Sequence, residues 1–167
     1  MDEVVTPIRK PATFNGPLEA GLRAVAILGS AHPRSFDLQR LVAFDYLLVH
    51  TGDIGGPASL HPPAPLQSAE LLVRRKLVER ALLLMMTRDL VERDFVSDGI
   101  RYRAGENAVP FLSSLASGYL RELISRASWL VRELGDKTET DFRAVMRRFF
   151  EKWVEEFQAA EKSLGAE

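Results

Sequence analysis

Apolar positions along the chain recur at helical spacing up to residue 90 and then change period within a few residues. Leu71, Val78, Ala81, Leu82 and Met85 mark one face of a long helix that Ser68, a capping residue type, can begin. After Leu90 come two short β-branched or aromatic runs, residues 91–96 and 100–103, separated by Ser97-Asp98-Gly99. They predict a hairpin, with Asp98-Gly99 as the residues that tolerate positive φ. A long basic helix feeding directly into a small hairpin is the end of a winged helix-turn-helix, so two helices should precede it.

Two helical patterns do precede it. The first starts near Pro17, with Glu19 complementing the positive helix end, carries Leu18, Leu22, Val25 and Ala26 as its stripe, and is stopped by Gly29 and Pro33. Asp37 can cap the second, which runs to about His50. Residues 51–67 then hold three glycines and four prolines, a long link that is expected to be ordered rather than slack. Beyond the hairpin the spacing predicts a short helix over 106–115 and a longer one over 117–134, with Leu120, Leu123, Ile124, Ala127 and Val131 on its apolar side. Thr138 and Asp141 resemble a capping pair. Phe142, Met146, Phe149, Trp153 and Phe157 follow at spacings of three or four, widened by Val145, Phe150 and Val154. The expected fold is mainly α: a winged helix-turn-helix body over 14–116 with a two-stranded wing, a flexible arm over 1–13, and a C-terminal helical extension over 117–167.

Composition narrows the function classes. No apolar run approaches the ~18 residues of a membrane span, and the start MDEVVTPIRKP lacks the apolar segment of a signal peptide. The absence of cysteine excludes disulfides, thiol catalysis and thiolate zinc sites, and it fits a cytoplasmic location. With a net charge of −1 the chain is no general nucleic-acid coat, and any DNA contact must come from a local patch.

Candidate chemistry is sparse. His32, His50 and His61 stand in no HExxH or His-x3-His frame, the glycines at 52, 55 and 56 precede no Gly-Lys-Ser/Thr, and Ser113, Ser114 and Ser117 lack a GxSxG frame. No catalytic residue, metal or cofactor is expected. Asp45 is less ordinary, because it falls amid Leu38, Leu41, Val42, Leu48 and Val49 on the apolar face of its helix. A buried carboxylate needs a partner, and Arg23, Arg40 and Arg74 are the candidates for an ion pair. Arg74, Arg75, Lys76 and Arg80 on the long helix and Arg93, Arg101 and Arg103 on the wing are candidate DNA contacts. Acidic residues are interleaved with them: residues 69–103 hold eight basic side chains against six acidic, a net of +2. That is little for a surface meant to neutralise several phosphates. The C-terminal stripe contains five of the chain's eleven Phe and Trp residues, and either packs back on the body or meets another chain.

The phrases Phe14 to Arg23, Asp37-Leu38-Gln39-Arg40, Asp45 to Asp53 and Gly56 to Pro62 resemble the middle component of bacterial ABC-three-component systems. These overlap the Lamassu-type antiphage systems, in which a small subunit sits beside an SMC-like ABC ATPase and an effector, often a nuclease. The resemblance covers about residues 14–116 and includes no catalytic signature. It implies a winged-helix accessory subunit without activity of its own, whose partners are the ATPase and the effector, with duplex DNA reached through the complex and no membrane involved. The candidate partner surfaces are the loop residues His50, Asp53 and His61 and the stripe residues Phe149, Phe150, Trp153 and Phe157. The alternative is a free-standing winged-helix DNA-binding transcription regulator.

Overall fold

The computed structural model describes residues 16–62 and 68–149, together with residue 162. In chain order the elements are α1 (Pro17–Ala31), β1 (Ser35–Asp37), α2 (Leu38–Val49), a 3-10 turn (Thr51–Ile54), α3 (Ser68–Met86), β2 (Val91–Val96), β3 (Gly99–Ala104), α4 (Ala108–Ser114), α5 (Gly118–Leu134) and α6 (Glu139–Phe149). The described residues are thus mainly helical, with one small antiparallel sheet in the order β1-β3-β2. Among them no helix is long and apolar enough to cross a membrane. The expected arm over 1–13 and the stripe residues Phe150, Trp153 and Phe157 lie outside the described residues, as does the side chain of Phe149.

α1 is the central strut. Its buried residues, Ala20, Gly21 and Arg23 through Leu28 with Ala31, surround almost the whole helix, so it is covered on all sides rather than along one stripe. The small side chains let neighbours approach closely, and α2, α3, α4, α5 and β3 all pack on it. Pro17 and Glu19 sit in its first turn as the sequence implies. Leu18, expected on the apolar stripe, is instead 57% exposed.

The change of period at residue 90 has a local cause. Asp89 adopts φ 57°, a left-handed conformation that Asp tolerates better than most residues, and this ends α3 by turning the chain back on itself. The Met85 carbonyl accepts from the amides of both Arg88 and Leu90, closing the last turn. The hairpin follows at once. Val96 pairs with Gly99, so of the expected separator Ser97-Asp98-Gly99 only Ser97 and Asp98 connect the strands. Gly99, at φ 128°, supplies the one backbone conformation there that a side chain would disfavour.

The expected two-stranded hairpin is present, and a third strand that was not expected joins it. β1 lies along β3 with Ser35 opposite Arg103, Phe36 opposite Tyr102 and Asp37 opposite Arg101. Three residues are too few to show a period of two, and the strand exists only because β3 lies beside it. Arg101 strengthens the junction, donating to the Ser35 carbonyl at 2.8 Å and to its hydroxyl at 3.0 Å. α4 begins at Ala108, two residues later than expected, after a turn through Gly105 and Glu106 whose Gly105 amide donates to the Leu90 carbonyl.

The core runs continuously from the sheet to α6. Phe44 on α2 is fully buried and meets Phe36 of β1 edge-on at 5.3 Å and Phe142 of α6 edge-on at 5.5 Å. Phe142 and Met146, the first two stripe positions of the C-terminal segment, are core, as are Leu123, Ala127, Leu130, Val131 and Leu134 of α5. Arg40 covers the seam: it lies 4.5 Å over the Phe142 ring and donates to the Lys137 carbonyl at 2.8 Å. Phe44→Ala should therefore destabilise the chain by about 3–5 kcal/mol, the usual cost of an emptied aromatic core site. Urea denaturation measures this directly, and a loss under about 1 kcal/mol would mean that these three rings do not hold sheet and α6 together.

Candidate functional site

The densest polar cluster lies where α1, α2 and α3 meet. Asp45 is 3% exposed, and both its carboxylate oxygens are engaged. Arg23 Nε donates to Oδ1 at 2.7 Å, Arg23 Nη2 reaches Oδ2 at 3.4 Å, and Arg74 Nη1 donates to Oδ2 at 2.6 Å. Of the three arginines considered as partners, Arg23 and Arg74 hold Asp45, while Arg40 is turned to the Gly135 and Lys137 carbonyls. The Arg74 guanidinium also lies 5.3 Å over the Tyr46 ring.

From Tyr46 the cluster continues into the loop after α2. His50 stacks on Tyr46 at 4.3 Å, its ring meets His61 edge-on at 6.3 Å, and His61 Nε2 is 3.0 Å from the Tyr119 hydroxyl on α5. Burial is the main cause that lowers both imidazoles below their ordinary pKa. The positive charge of Arg74 adds to it in each case, and that of Arg23 in the case of His61. Burial likewise raises the Tyr119 phenol. His50 Nδ1 is buried and has no hydrogen-bond partner among the described residues.

The loop itself is held at several points. The Val49 carbonyl accepts from both Leu60 and His61 amides at 3.1 Å, the Thr51 hydroxyl donates to the Pro57 carbonyl at 2.8 Å, and the Gly52 amide donates to Ser59 Oγ at 3.0 Å. α5 clamps it from outside: Arg126 Nε donates to the Ala58 carbonyl at 2.8 Å, and Arg126 is also paired with Glu122. A side chain at position 56 would collide with the Trp129 ring, so Gly56 lets the loop lie flat against α5. Tyr119, Arg126 and Trp129 were not singled out in the sequence, because their partners lie about 60 to 70 residues away and no local spacing marks them. Beside this cluster Leu18, Glu19, Leu22, Arg23, Tyr119, Leu120 and Leu123 line an apolar cavity of about 270 Å³.

Several candidate residues stand differently from expectation. His50 is 4% exposed and cannot serve as a contact residue in this conformation; Asp53 is exposed and His61 half-buried. The reason is that His50 ends α2 on its inner side, under the loop. His50, Asp53 and His61 do not converge as ligands, and no group of three or more His, Cys, Asp or Glu suited to a metal occurs among the described residues. Of the candidate DNA contacts, Arg74 is turned inward to Asp45 and Arg75 lies beside Glu79. Arg101 is tied to Ser35, and Arg103 sits between Glu92 at 2.8 Å and Asp94 at 3.2 Å. Arg93, exposed, lies 5.2 Å over the Phe95 ring, and Lys76 and Arg80 are exposed on α3.

Two outcomes follow. Asp45→Ala leaves the 3%-exposed Arg23 uncompensated and should cost about 3–5 kcal/mol in chemical denaturation. Replacing both partners by apolar residues, Arg23→Leu with Asp45→Leu, should recover most of that loss; equal instability of the two variants would show that the charges themselves are needed. The second outcome concerns pH. Because both imidazoles are lowered in the folded chain, the unfolded chain binds more protons once the pH falls through about 6.5. Stability is fully present above that value and is lost as the pH drops toward the folded-state pKa values. Melting temperature should fall between pH 7.5 and 5.5, and His50→Gln with His61→Gln should flatten the slope.

A family model for Middle Component 2 of ABC-three component (ABC-3C) systems matches residues 13–156. No curated protein and no solved structure matches the chain. The matched span runs from just before α1 to beyond α6 and so takes in the ion triad, the clamped loop and the hairpin. The chain therefore belongs to the Middle Component 2 family, and is a component of an ABC-three-component system.

Proposed function

We propose that this chain is a non-enzymatic accessory subunit, built on a winged helix-turn-helix, that bridges an SMC-like ABC ATPase and an effector, a nuclease, in a Lamassu-type complex acting in the cytoplasm against phage or plasmid DNA. Family membership supports a multi-subunit setting with protein partners. The winged-helix assignment is supported by the order helix, strand, helix, helix, hairpin and by a sheet in which β1 lies against β3. In that reading α3 is the recognition helix and β2–β3 the wing.

The observation that carries the proposal is how the basic side chains are used. Arg74 is committed to Asp45, Arg101 to Ser35, and Arg103 to two carboxylates. Of the seven candidate DNA contacts, Arg74, Arg75 and Arg103 thus stand beside carboxylates, and charge already paired contributes little to counterion release. A winged helix with this charge economy suits protein contact better than autonomous DNA reading. The rival, a transcription regulator, rests on Lys76 and Arg80, which are exposed on α3.

Co-expression with the ATPase and effector components of its own system tests the proposal: a tagged copy should retain the ATPase through gel filtration. Alone, the chain should bind duplex DNA weakly and without sequence preference, with binding that fades as salt rises and drops further in Lys76→Ala with Arg80→Ala. Tight, sequence-specific binding at physiological salt, with no ATPase retained, would establish the regulator instead.

A further inference from the structure

Seven large apolar side chains are exposed among the described residues, and three of them crowd one hairpin tip: Phe95 (73%), Val96 (43%) and Ile100 (41%). Phe95 and Ile100 are direct cross-strand partners, so they share one face of the sheet. Period-two alternation puts Val91 and Arg93 on that face too, opposite Ala104 and Tyr102. At its root this face is core, with Val91, Tyr102 and Ala104 buried. Toward the tip the same apolar face runs on into solvent, with Arg93 stacked against the Phe95 ring. β2 is an edge strand in the sheet order, so nothing else in the sheet shields the tip on that side.

The charges decide what could cover it. An apolar wedge on a wing could enter a DNA minor groove and unstack bases, but such wedges work beside cationic side chains. Residues 91–104 contain Arg93, Arg101 and Arg103 against Glu92, Asp94 and Asp98, which cancel. Arg103 is held by Glu92 and Asp94, so the face opposite Phe95 would bring carboxylates toward phosphates. A protein surface has no such penalty. The cation available beside the apolar tip is Arg93, which calls for a carboxylate on the other side, and aromatic and Arg anchors are the residue types that dominate protein interfaces.

We propose that Phe95 and Ile100, with Arg93 alongside on the same face, form a protein-docking wedge that seats in an apolar socket bordered by a carboxylate on the ATPase component. This rests on the accessory-subunit reading above and adds which surface makes the contact. The test uses the full chain and the purified ATPase component of its own system, with affinity read by calorimetry. Phe95→Ser with Ile100→Ser should weaken binding about 30-fold or more, the factor equivalent to a hot-spot loss of about 2 kcal/mol. Val109→Ser, at an exposed apolar residue on α4, should leave affinity unchanged, and all variants should melt with the wild type. Should the pair perturb the hairpin, Phe95→Ser alone, at the more exposed position, gives the same reading. Wild-type affinity in the folded wedge variant overturns the docking wedge while leaving the accessory-subunit reading intact. Failure of the wild-type chain to bind the ATPase overturns both. A wedge variant that loses duplex DNA binding but keeps the ATPase would make the tip a DNA element. A wild-type dimer in sedimentation that the variant dissolves would make its occupant a second copy of this chain. Either result overturns the proposal.

Discussion

A single buried carboxylate sets the geometry of the helical body. Asp45 sits on the inner face of α2, where an unpaired charge would be prohibitive, so two guanidinium groups must be brought to it from α1 and α3. Arg23 approaches from a helix buried on every side, and Arg74 from the N-terminal half of α3. Once Arg74 points inward, the rotation of α3 about its own axis is fixed. At about 100° per residue, positions 76, 80 and 83 then fall near the opposite side, and Lys76, Arg80 and Leu83 are indeed exposed. Buried ion pairs often add little net stability over an apolar replacement; here the three groups tie α1, α2 and α3 to one another at one point.

The same requirement reaches the loop after α2. Arg74 lies over Tyr46, Tyr46 supports His50, and His50 is closed in by the segment that carries His61 to Tyr119. This loop, rich in glycine and proline, is fixed at its Ala58 carbonyl by Arg126, and Gly56 lies flat on Trp129. The polar phrases around Asp45, His50, Asp53 and His61 therefore read as a buried scaffold more than as a surface: only Asp53 among the loop trio faces solvent fully.

What was legible in the sequence was whatever local chemistry enforces. The starts of α1, α2 and α5 follow from Pro17, Asp37 and Ser117, each acting within a turn of itself, and the end of α3 was marked by the change of period at Leu90, though not the left-handed Asp89 that makes the turn. Asp45 was legible because a carboxylate amid five apolar neighbours has few physical solutions, although choosing Arg23 and Arg74 over Arg40 required knowing how the helices pack. β1 was not legible: Ser35-Phe36-Asp37 is a strand only through Arg101, Tyr102 and Arg103, some 65 residues away. The exposure of the Phe95–Ile100 pair was equally hidden, since alternation reports that two residues share a face but not where along the hairpin the core stops.

These points bear on how far element order can assign a function. A helix and hairpin in this order invite a DNA role, because many proteins so built read a major groove with the N-terminal part of the third helix. Here that part gives Arg74 to the interior, and the hairpin's three basic residues are matched by three acidic ones. The exposed surface that results is apolar at the hairpin tip and only weakly basic on α3. A groove lined by phosphates rewards the second property and penalises the acidic side of the hairpin, whereas a protein socket rewards the first. The allocation of side chains, inward to Asp45 and across the sheet to Glu92 and Asp94, thus supports partner binding in a way that the order of elements cannot.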